Sequence, residues 1–430
     1  MIAPPDIKDR YIISFLPGIT GTERAEAARL AGAVPLVDLG LISAVSVRIP
    51  DINILTALQG LPGVVKVVPD RRIFALQTDP VKGNGGGSGL TGARNIGSFD
   101  TSETVPAGVK RVGEPTTGAE GAGVGIMIGD TGIDWAHPDL MVASDRFDAF
   151  GGSCIDMHGH GTHVAGTVAA LKNDIGVVGV APGATLYCGK VLADNGSGSD
   201  SNIIELLQWV VNKNAEGVNP RILVVNLSLG REKVDGDMDG PLREAIQAAY
   251  KTGVTIIVAA GNDASVEVKD QAPSGFPEVI AVASTTAEEG YSSGCPFIDG
   301  RIAAGTASYF TTDGAFDSET GIGVTISAPG GTRENVNLFC RISCEGILST
   351  AVGGGTTRSV GGSAACGTSM AAPHVAGLVA RMIEAGISGP EIIRTRLRAN
   401  AIGQGSEPLD SPGAAYTHDG EREGIAVWRP

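Results

Sequence analysis

Ile222-Leu223-Val224-Val225-Asn226-Leu227 is an apolar run of strand length, and Val254-Thr255-Ile256-Ile257-Val258-Ala259 is another. Between them, residues 241–252 form an amphipathic segment of helix length. A strand buried on both faces reads as a near-continuous apolar run, and two such strands joined by a helix make a parallel βαβ unit. The alternation continues outward. Further strands are predicted at 125–129, 185–191 and 279–283, and a further helix at 203–214. From about residue 101 the chain is therefore read as α/β, with a mostly parallel central sheet covered on both faces. Residues 374–385 add an apolar helix, and 406–430 read as an irregular C-terminal tail.

Upstream the pattern changes. Residues 11–16 read as a strand, 22–31 as a helix rich in Ala, Glu and Arg, and 34–39 and 41–49 as β-rich stretches around Gly40. Asp51 is placed to cap a short helix through Leu58, and 64–68 is a last strand. The order β-α-β-β-α-β over residues 1–76 is a ferredoxin-like α+β arrangement. Residues 77–100 hold Gly83, Gly85, Gly86, Gly87 and Gly89 without apolar periodicity and read as a flexible linker. The main domain is then 101–405, followed by the tail.

A chain of 430 residues is comfortable for two domains, and 42% hydrophobic residues supply their cores. Net charge is −15, unevenly spread. Residues 1–76 hold eight Lys/Arg against seven Asp/Glu, so the remainder carries −16. An acidic main domain excludes nucleic acid as a partner and suits a soluble protein that holds cations. No apolar run approaches the ~20 residues of a membrane span. Asp6, Lys8, Asp9 and Arg10 interrupt any early secretory signal, so either a cytoplasmic protein or one exported by a signal outside this chain is expected. A monomer is expected. The six cysteines match no zinc spacing. Cys188 is expected as a small buried strand residue, and Cys340 and Cys344 either form a local disulfide or stay free.

A serine hydroxyl is a poor nucleophile at neutral pH. It needs a base within hydrogen-bond reach, itself oriented by a carboxylate. Three segments supply these groups. Ile126-Met127-Ile128-Gly129-Asp130-Thr131-Gly132 puts Asp130 at the C-terminal end of an apolar strand, where sites form in open α/β sheets. His158-Gly159-His160-Gly161-Thr162-His163-Val164-Ala165-Gly166 puts a histidine at a helix start. Gly367-Thr368-Ser369-Met370-Ala371-Ala372-Pro373-His374 opens another helix with Ser369, where N-terminal amides favour developing negative charge. Singly, each has a plainer reading: a turn aspartate, a structural histidine, a common Gly-Thr-Ser. Together they make a nucleophile, a base and an orienting acid.

With these motifs in this order, the chain from about Thr104 to Ala399 resembles the subtilisin-like serine proteases, or subtilases. The resemblance implies a subtilisin-like three-layer fold and a serine endopeptidase that cleaves proteins and peptides through an acyl-enzyme. It implies that Asp130 orients His160, that His160 is the base, and that Ser369 attacks the carbonyl, leaving His158 and His163 structural. Asn262, in Ala259-Ala260-Gly261-Asn262, corresponds to the oxyanion-hole asparagine. Ser228-Leu229-Gly230 and Gly196-Ser197-Gly198, with Gly261, correspond to edges that pair with an extended peptide by β-strand addition. A structural calcium ion is also implied. Hard cations take six to eight oxygens, here from Asp139, the Asn173 side chain, the carbonyls of Leu171, Ile175 and Val177, and Glu103 where the family has a glutamine.

Residues 1–76 resemble, in pattern and size, the subtilase propeptide, which assists folding and inhibits the enzyme; an autonomous accessory domain is the alternative. On the propeptide reading Arg71-Arg72-Ile73-Phe74-Ala75-Leu76 lies in the active site as a product-like strand, and Leu76–Gln77 is the bond cut in maturation. Leu76 would fill the first specificity pocket and Ile73 the fourth, which predicts large apolar residues before the scissile bond. Asp263, Glu267 and Asp270 argue instead for basic ones. Residues 290–325 and 331–365 exceed a minimal family member, and Cys366 before Gly-Thr-Ser is either inertly packed or thiol-sensitive. A non-catalytic protein with the same fold is the rival reading. A lipase-type hydrolase is rejected, because Ser369 comes last and Ala371 replaces the second glycine of its motif.

Overall fold

The computed structural model describes residues 7–76, 102–115, 118–298, 300–412 and 421–429. The expected linker and Gln77 lie outside the described residues. The N-terminal unit runs β1 (Arg10–Phe15), α1 (Gly21–Leu30), β2 (Val34–Leu39), β3 (Ala44–Arg48), α2 (Leu55–Gln59) and β4 (Val64–Pro69). Its sheet has the order β2-β3-β1-β4 and is antiparallel throughout, the ferredoxin-like arrangement that the sequence predicts. Two details differ. Residues 40–42 form a 3-10 turn, so β3 is shorter than the β-rich stretch suggests. Asp51 caps a second 3-10 turn through the Asn53 amide, and α2 begins only at Leu55. Side chains alternate across a strand. Accordingly Ile13, Phe15, Val45 and Val47 pack on Ala28 of α1 and Leu58 of α2. Ile12 and Ala44 face the other way, into the core of the main domain.

After β5 (Arg72–Ala75), the main domain comprises α3 (Ala107–Gly113), β6 (Gly125–Asp130), β7 (Phe147–Asp148), α4 (His160–Ala169), β8 (Thr185–Lys190), β9 (Ser197–Ser199), α5 (Asp200–Glu216), β10 (Ile222–Leu227), β11 (Leu229–Glu232), α6 (Pro241–Lys251), β12 (Thr255–Ala259), β13 (Gln271–Ala272), β14 (Ile280–Thr286), β15 (Ile326–Gly331), α7 (Thr368–Glu384) and α8 (Pro390–Asn400). Seven strands form a wholly parallel sheet in the order β15-β14-β12-β10-β6-β8-β7. Period-two alternation sorts its residues into two layers of core. Ile126, Ile128, Val224 and Ile257 pack with α4 and α7 on one face. Met127, Val225, Ile256 and Val258 pack with α5 and α6 on the other, where Ile12 and Leu39 of the N-terminal unit join the same cluster. This is the α/β three-layer architecture expected. β15 has no counterpart among the predicted strands, because Ile326-Ser327-Ala328-Pro329-Gly330-Gly331 holds one large apolar residue. α7 starts six residues before the predicted helix and includes Pro373.

The cysteine expectations need correction. Cys188 is buried in β8 but is bonded to Cys154. Cys340 pairs with Cys295 and Cys344 with Cys366, so neither the local Cys340–Cys344 bridge nor a thiol at Cys366 exists. The reason is a hairpin that the spacing hides. Cys344 pairs with Glu334 within a ladder, while Cys340 lies in the turn beyond Ile342. Cys154–Cys188 closes a 34-residue separation. Such a loop is worth about 3–4 kcal/mol of denatured-state entropy. Replacing both cysteines by alanine in the full chain carrying Ser369→Ala should lower the melting temperature by about 5–10 °C, read by calorimetry.

Candidate active site

The parallel register decides where polar groups emerge. Ile128 of β6 sits beside Asn226 of β10, and Leu227 beside Val258 of β12. The three strands therefore end together, and Asp130, Ser228 and Asn262 follow their apolar runs on one edge of the sheet. The first turns of α4 and α7 meet that edge.

His160 opens α4, and its Nδ1 lies 2.8 Å from Asp130 Oδ1, with both side chains fully buried. Burial disfavours charge on this imidazole. The Asp130 carboxylate, through its charge and hydrogen bond, and Asp156 beyond it nevertheless carry the pKa above the ordinary histidine value. The other described histidines go the opposite way, chiefly through burial. His137 and His158 are lowered, and His163 and His374 are pushed down to about 4. His163 Nε2 donates to the Ile347 carbonyl at 2.9 Å, a structural role.

Ser369 is the second residue of α7, and its hydroxyl donates to the Ser228 carbonyl at 2.9 Å. Among the described residues no hydrogen-bond partner reaches His160 Nε2. The Ser228 hydroxyl donates back to the Ser369 carbonyl at 2.8 Å and accepts from Asn226 at 2.9 Å. Asn262 is locked by its Oδ1, which accepts the Thr368 amide and hydroxyl, each at 2.9 Å. Its Nδ2 is thereby turned into the cleft, where it donates to the Leu76 carbonyl at 2.8 Å. The Gly261 amide donates to the Thr368 hydroxyl at 3.2 Å and backs the same turn.

β5 lies in this cleft, in a sheet of order β13-β11-β5-β9, antiparallel to both neighbours. Leu229 stands opposite Ala75, Gly230 opposite Phe74, Ser197 opposite Phe74 and Gly198 opposite Ile73. The Ala75 amide donates to Gly196 O at 3.0 Å and the Leu76 amide to Ser228 O at 3.3 Å. Of the residues expected to pair with an extended peptide, Ser228, Leu229, Gly230, Gly196, Ser197 and Gly198 pair with or bond to this strand, whereas the Gly261 amide is given to Thr368. Gly198 has no room for a side chain, since a Cβ would meet Val191 O at 2.2 Å. Ile73 is fully buried, Phe74 is 48% exposed, and Leu76 packs on the apolar core.

A subtilase-family profile matches residues 121–414 of this chain. The chain belongs to the subtilase family. It is a serine-type endopeptidase. Subtilisin Savinase from Lederbergia lenta is 34% identical over 316 residues, covering 72% of this chain and 96% of its own. An alkaline protease from Alkalihalobacillus alcalophilus is 30% identical over 417 residues, covering 96% of this chain and 91% of its own. Fervidolysin from Fervidobacterium pennivorans, a keratinolytic enzyme related to subtilisin, shares the fold with a TM-score of 0.64 at 23% identity, over 97% of this chain and 60% of that one.

The subtilase site also contains residues that the sequence does not announce. Asp156 is fully buried. Its Oδ1 accepts from the Thr131 hydroxyl at 2.9 Å and from the His158 and Gly159 amides at 2.9 and 2.8 Å. Its Oδ2 accepts the Thr162 amide and hydroxyl at 2.8 and 2.7 Å. It thereby pins the start of α4 to the end of β6. Its one sequence signal is its place just before a helix, where capping residues sit. Gly161 allows the close approach, because a Cβ there would lie 2.1 Å from Gly132 O.

The expected calcium residues also converge. Asp139 Oδ2 accepts the Val177 amide at 3.0 Å, and Glu103 Oε1 accepts the Asn173 amide at 2.7 Å. The Leu171 amide donates to the Asp139 carbonyl at 3.0 Å, and the Ile175 amide to Asn173 Oδ1 at 3.2 Å. Burial pushes the Asp139 carboxyl up to about 7; the Val177 amide opposes this and the Glu103 charge adds to it. Asp139 Oδ1 is buried without a hydrogen-bond partner among the described residues. Among the described residues no cluster of three or more His, Cys, Asp or Glu side chains could hold a metal ion; of the six groups expected here, three are backbone carbonyls and one is an asparagine side chain. Of the acidic residues after Asn262, Glu267 pairs with Lys269 at 2.7 Å, and Asp263 binds the Ser265 amide at 2.9 Å within its own turn.

The histidine environments can be read directly. In an NMR titration of the full chain carrying Ser369→Ala, His160 should gain its proton with a midpoint above 6.5, while His163 and His374 stay neutral until about pH 4.

Proposed function

We propose that this subtilase is a self-processing zymogen, with residues 1–76 as its own folding aid and inhibitor and Leu76–Gln77 as its first substrate bond. One observation carries the reading: the Leu76 carbonyl sits on Asn262, at the end of a strand that fills the cleft. In cleavage, Ser369 Oγ bonds to that carbonyl carbon and passes its proton to His160 Nε2. Asp130 holds the Nδ1 hydrogen and stabilises the imidazolium. The oxygen takes up negative charge against Asn262 Nδ2. His160 then gives the proton to the departing amine of Gln77, and water releases the acyl group from Ser369. The hydroxyl now rests on Ser228 O and must turn toward His160 to begin.

After the cut, Ile12, Leu39 and Ala44 remain packed with α5 and α6. The tail stays tethered beside the cleft at high effective concentration, and so inhibits. The buried Ile73 and the Leu76 side chain, which a Cβ on Gly230 would meet at 3.0 Å, support a preference for large apolar residues at the first and fourth positions before the bond. Protein substrates with exposed, extended segments of that kind fit the cleft. The fully paired cysteines support an oxidising compartment, hence export.

Asp139, Glu103, Asn173 and the carbonyls of Leu171, Ile175 and Val177 would hold the calcium ion, and the partnerless Asp139 oxygen fits this. Bound there, the ion would fasten the 171–177 loop to the chain at Glu103. At a calcium concentration a hundred times its dissociation constant the folded state should gain about 2.7 kcal/mol. The melting temperature of the Ser369→Ala chain should rise by several degrees with calcium, and Asp139→Ala should remove the rise.

The catalytic reading has its own test. Wild type should mature to a protein beginning at Gln77, and its Ser369 should take a fluorophosphonate label. Ser369→Ala should do neither, and Asn262→Ala should lose about 10²–10³ in kcat, the figure established for the corresponding donor of subtilisin. A mature N-terminus far from Gln77 sinks the maturation site. An unlabelled Ser369 in matured protein favours the non-catalytic rival.

A further inference from the structure

The tail's pairing does not end at the fourth residue before the bond. Arg72 stands opposite Ser199, and the Asp200 amide donates to the Arg71 carbonyl at 2.9 Å. Arg71, the sixth residue counted back from Leu76–Gln77, also directs its side chain at a carboxylate: its Nε lies 3.8 Å from Asp237 Oδ1. Asp237 does not stand alone. Arg231 of β11 bonds Asp200 at 3.0 and 2.7 Å and Asp237 at 2.6 and 3.0 Å. Asp200, Asp237 and Arg231 are each less than a tenth exposed.

One guanidinium cannot neutralise two carboxylates. In the structure the balance is completed by Arg71. Asp70 and Arg10 lie nearby, but they pair with each other at 3.1 Å and both belong to the N-terminal unit. They arrive and depart as a neutral couple. Once the unit has left, the mature enzyme keeps two carboxylates that share one guanidinium, and a free backbone donor at Asp200; a substrate residue seated where Arg71 sits shields them again. An uncompensated charge in a poorly solvated place is costly, and a substrate cation relieves it. Asp237 is ionised at neutral pH, because hydrogen bonds from Arg231 and Val234 outweigh its burial and hold its pKa below the ordinary value. Arg72, by contrast, is exposed, so the fifth position carries no such selection.

We propose that the cleft extends to a sixth subsite, built from Asp200, Asp237 and Arg231, that takes a basic side chain of the substrate, arginine or lysine. The inference rests on the proposed reading of the tail as a product-like strand. It adds a charge preference, six residues before the scissile bond, to the apolar preference at the first and fourth positions.

The test uses matured enzyme at pH 8 and internally quenched peptides with Leu and Ile fixed at the first and fourth positions, varied only at the sixth. Arginine should be cleaved about three- to five-fold more efficiently than alanine in kcat/KM, through KM, and glutamate less efficiently than either. One molar salt should shrink the ratio. In Asp237→Asn the arginine-to-alanine ratio should fall towards one. A ratio compares two peptides on the same enzyme, so any loss of folded protein cancels. Equal cleavage of all three peptides, or an undiminished ratio in Asp237→Asn, overturns the sixth subsite and leaves the proposed function standing. Failure to cut after the apolar residue in any peptide overturns the reading on which it rests.

Discussion

The whole site depends on the parallel register of β6, β10 and β12. A sheet covered on both faces has no room for polar side chains along its length, so such groups collect where the strands end together. Ile128 beside Asn226 and Leu227 beside Val258 fix those ends. A one-residue slip would send Asp130 to the other face of the sheet. α4 and α7 then need only present their first turns. Asp156 holds one of them by its amides and hydroxyls, and the Thr368–Asn262 contact holds the other.

The same edge supplies the proposed binding surface. β9 and β11 lie on either side of β5 and leave a gap one strand wide. Anything seated there pairs by backbone groups that every peptide has, which gives affinity without choice. Choice comes from the side chains. Ile73 and Leu76 point into apolar surroundings and Phe74 points to solvent. The N-terminal unit adds a second attachment through Ile12 and Leu39, outside the cleft, that a peptide substrate lacks.

Much of this is legible in the sequence. Buried parallel strands are apolar runs, so β6, β8, β10, β12 and β14 can be located within three residues, and Asp130, His160, Asn262 and Ser369 stand out by their motifs at strand and helix ends. β15 is not legible, because its Pro-Gly-Gly end reads as a loop and only its neighbour β14 makes it a strand. Asp156 is not legible either: most of its partners lie within six residues of it at the start of α4, as for any turn aspartate, and only the Thr131 hydroxyl, 25 residues upstream, ties it to the end of β6. The disulfides depend on which segments meet. Cys344 and Cys366 join only because a hairpin turns Cys340 away.

Relative magnitudes rank what the cleft recognises. A net backbone hydrogen bond is worth about 0.5–1.5 kcal/mol and is the same for any sequence. Fully burying a side chain such as Ile73 is worth about 1.5–3 kcal/mol and is specific. A partly exposed ion pair such as Arg71–Asp237 contributes about 1 kcal/mol at most, and less as salt rises. On the proposed reading, the apolar positions dominate selection, and charge six residues away only grades substrates that already satisfy them. Glu267 follows the same logic. Its carboxylate is already paired with Lys269, so little is left to draw a basic side chain away from the apolar seat of Leu76.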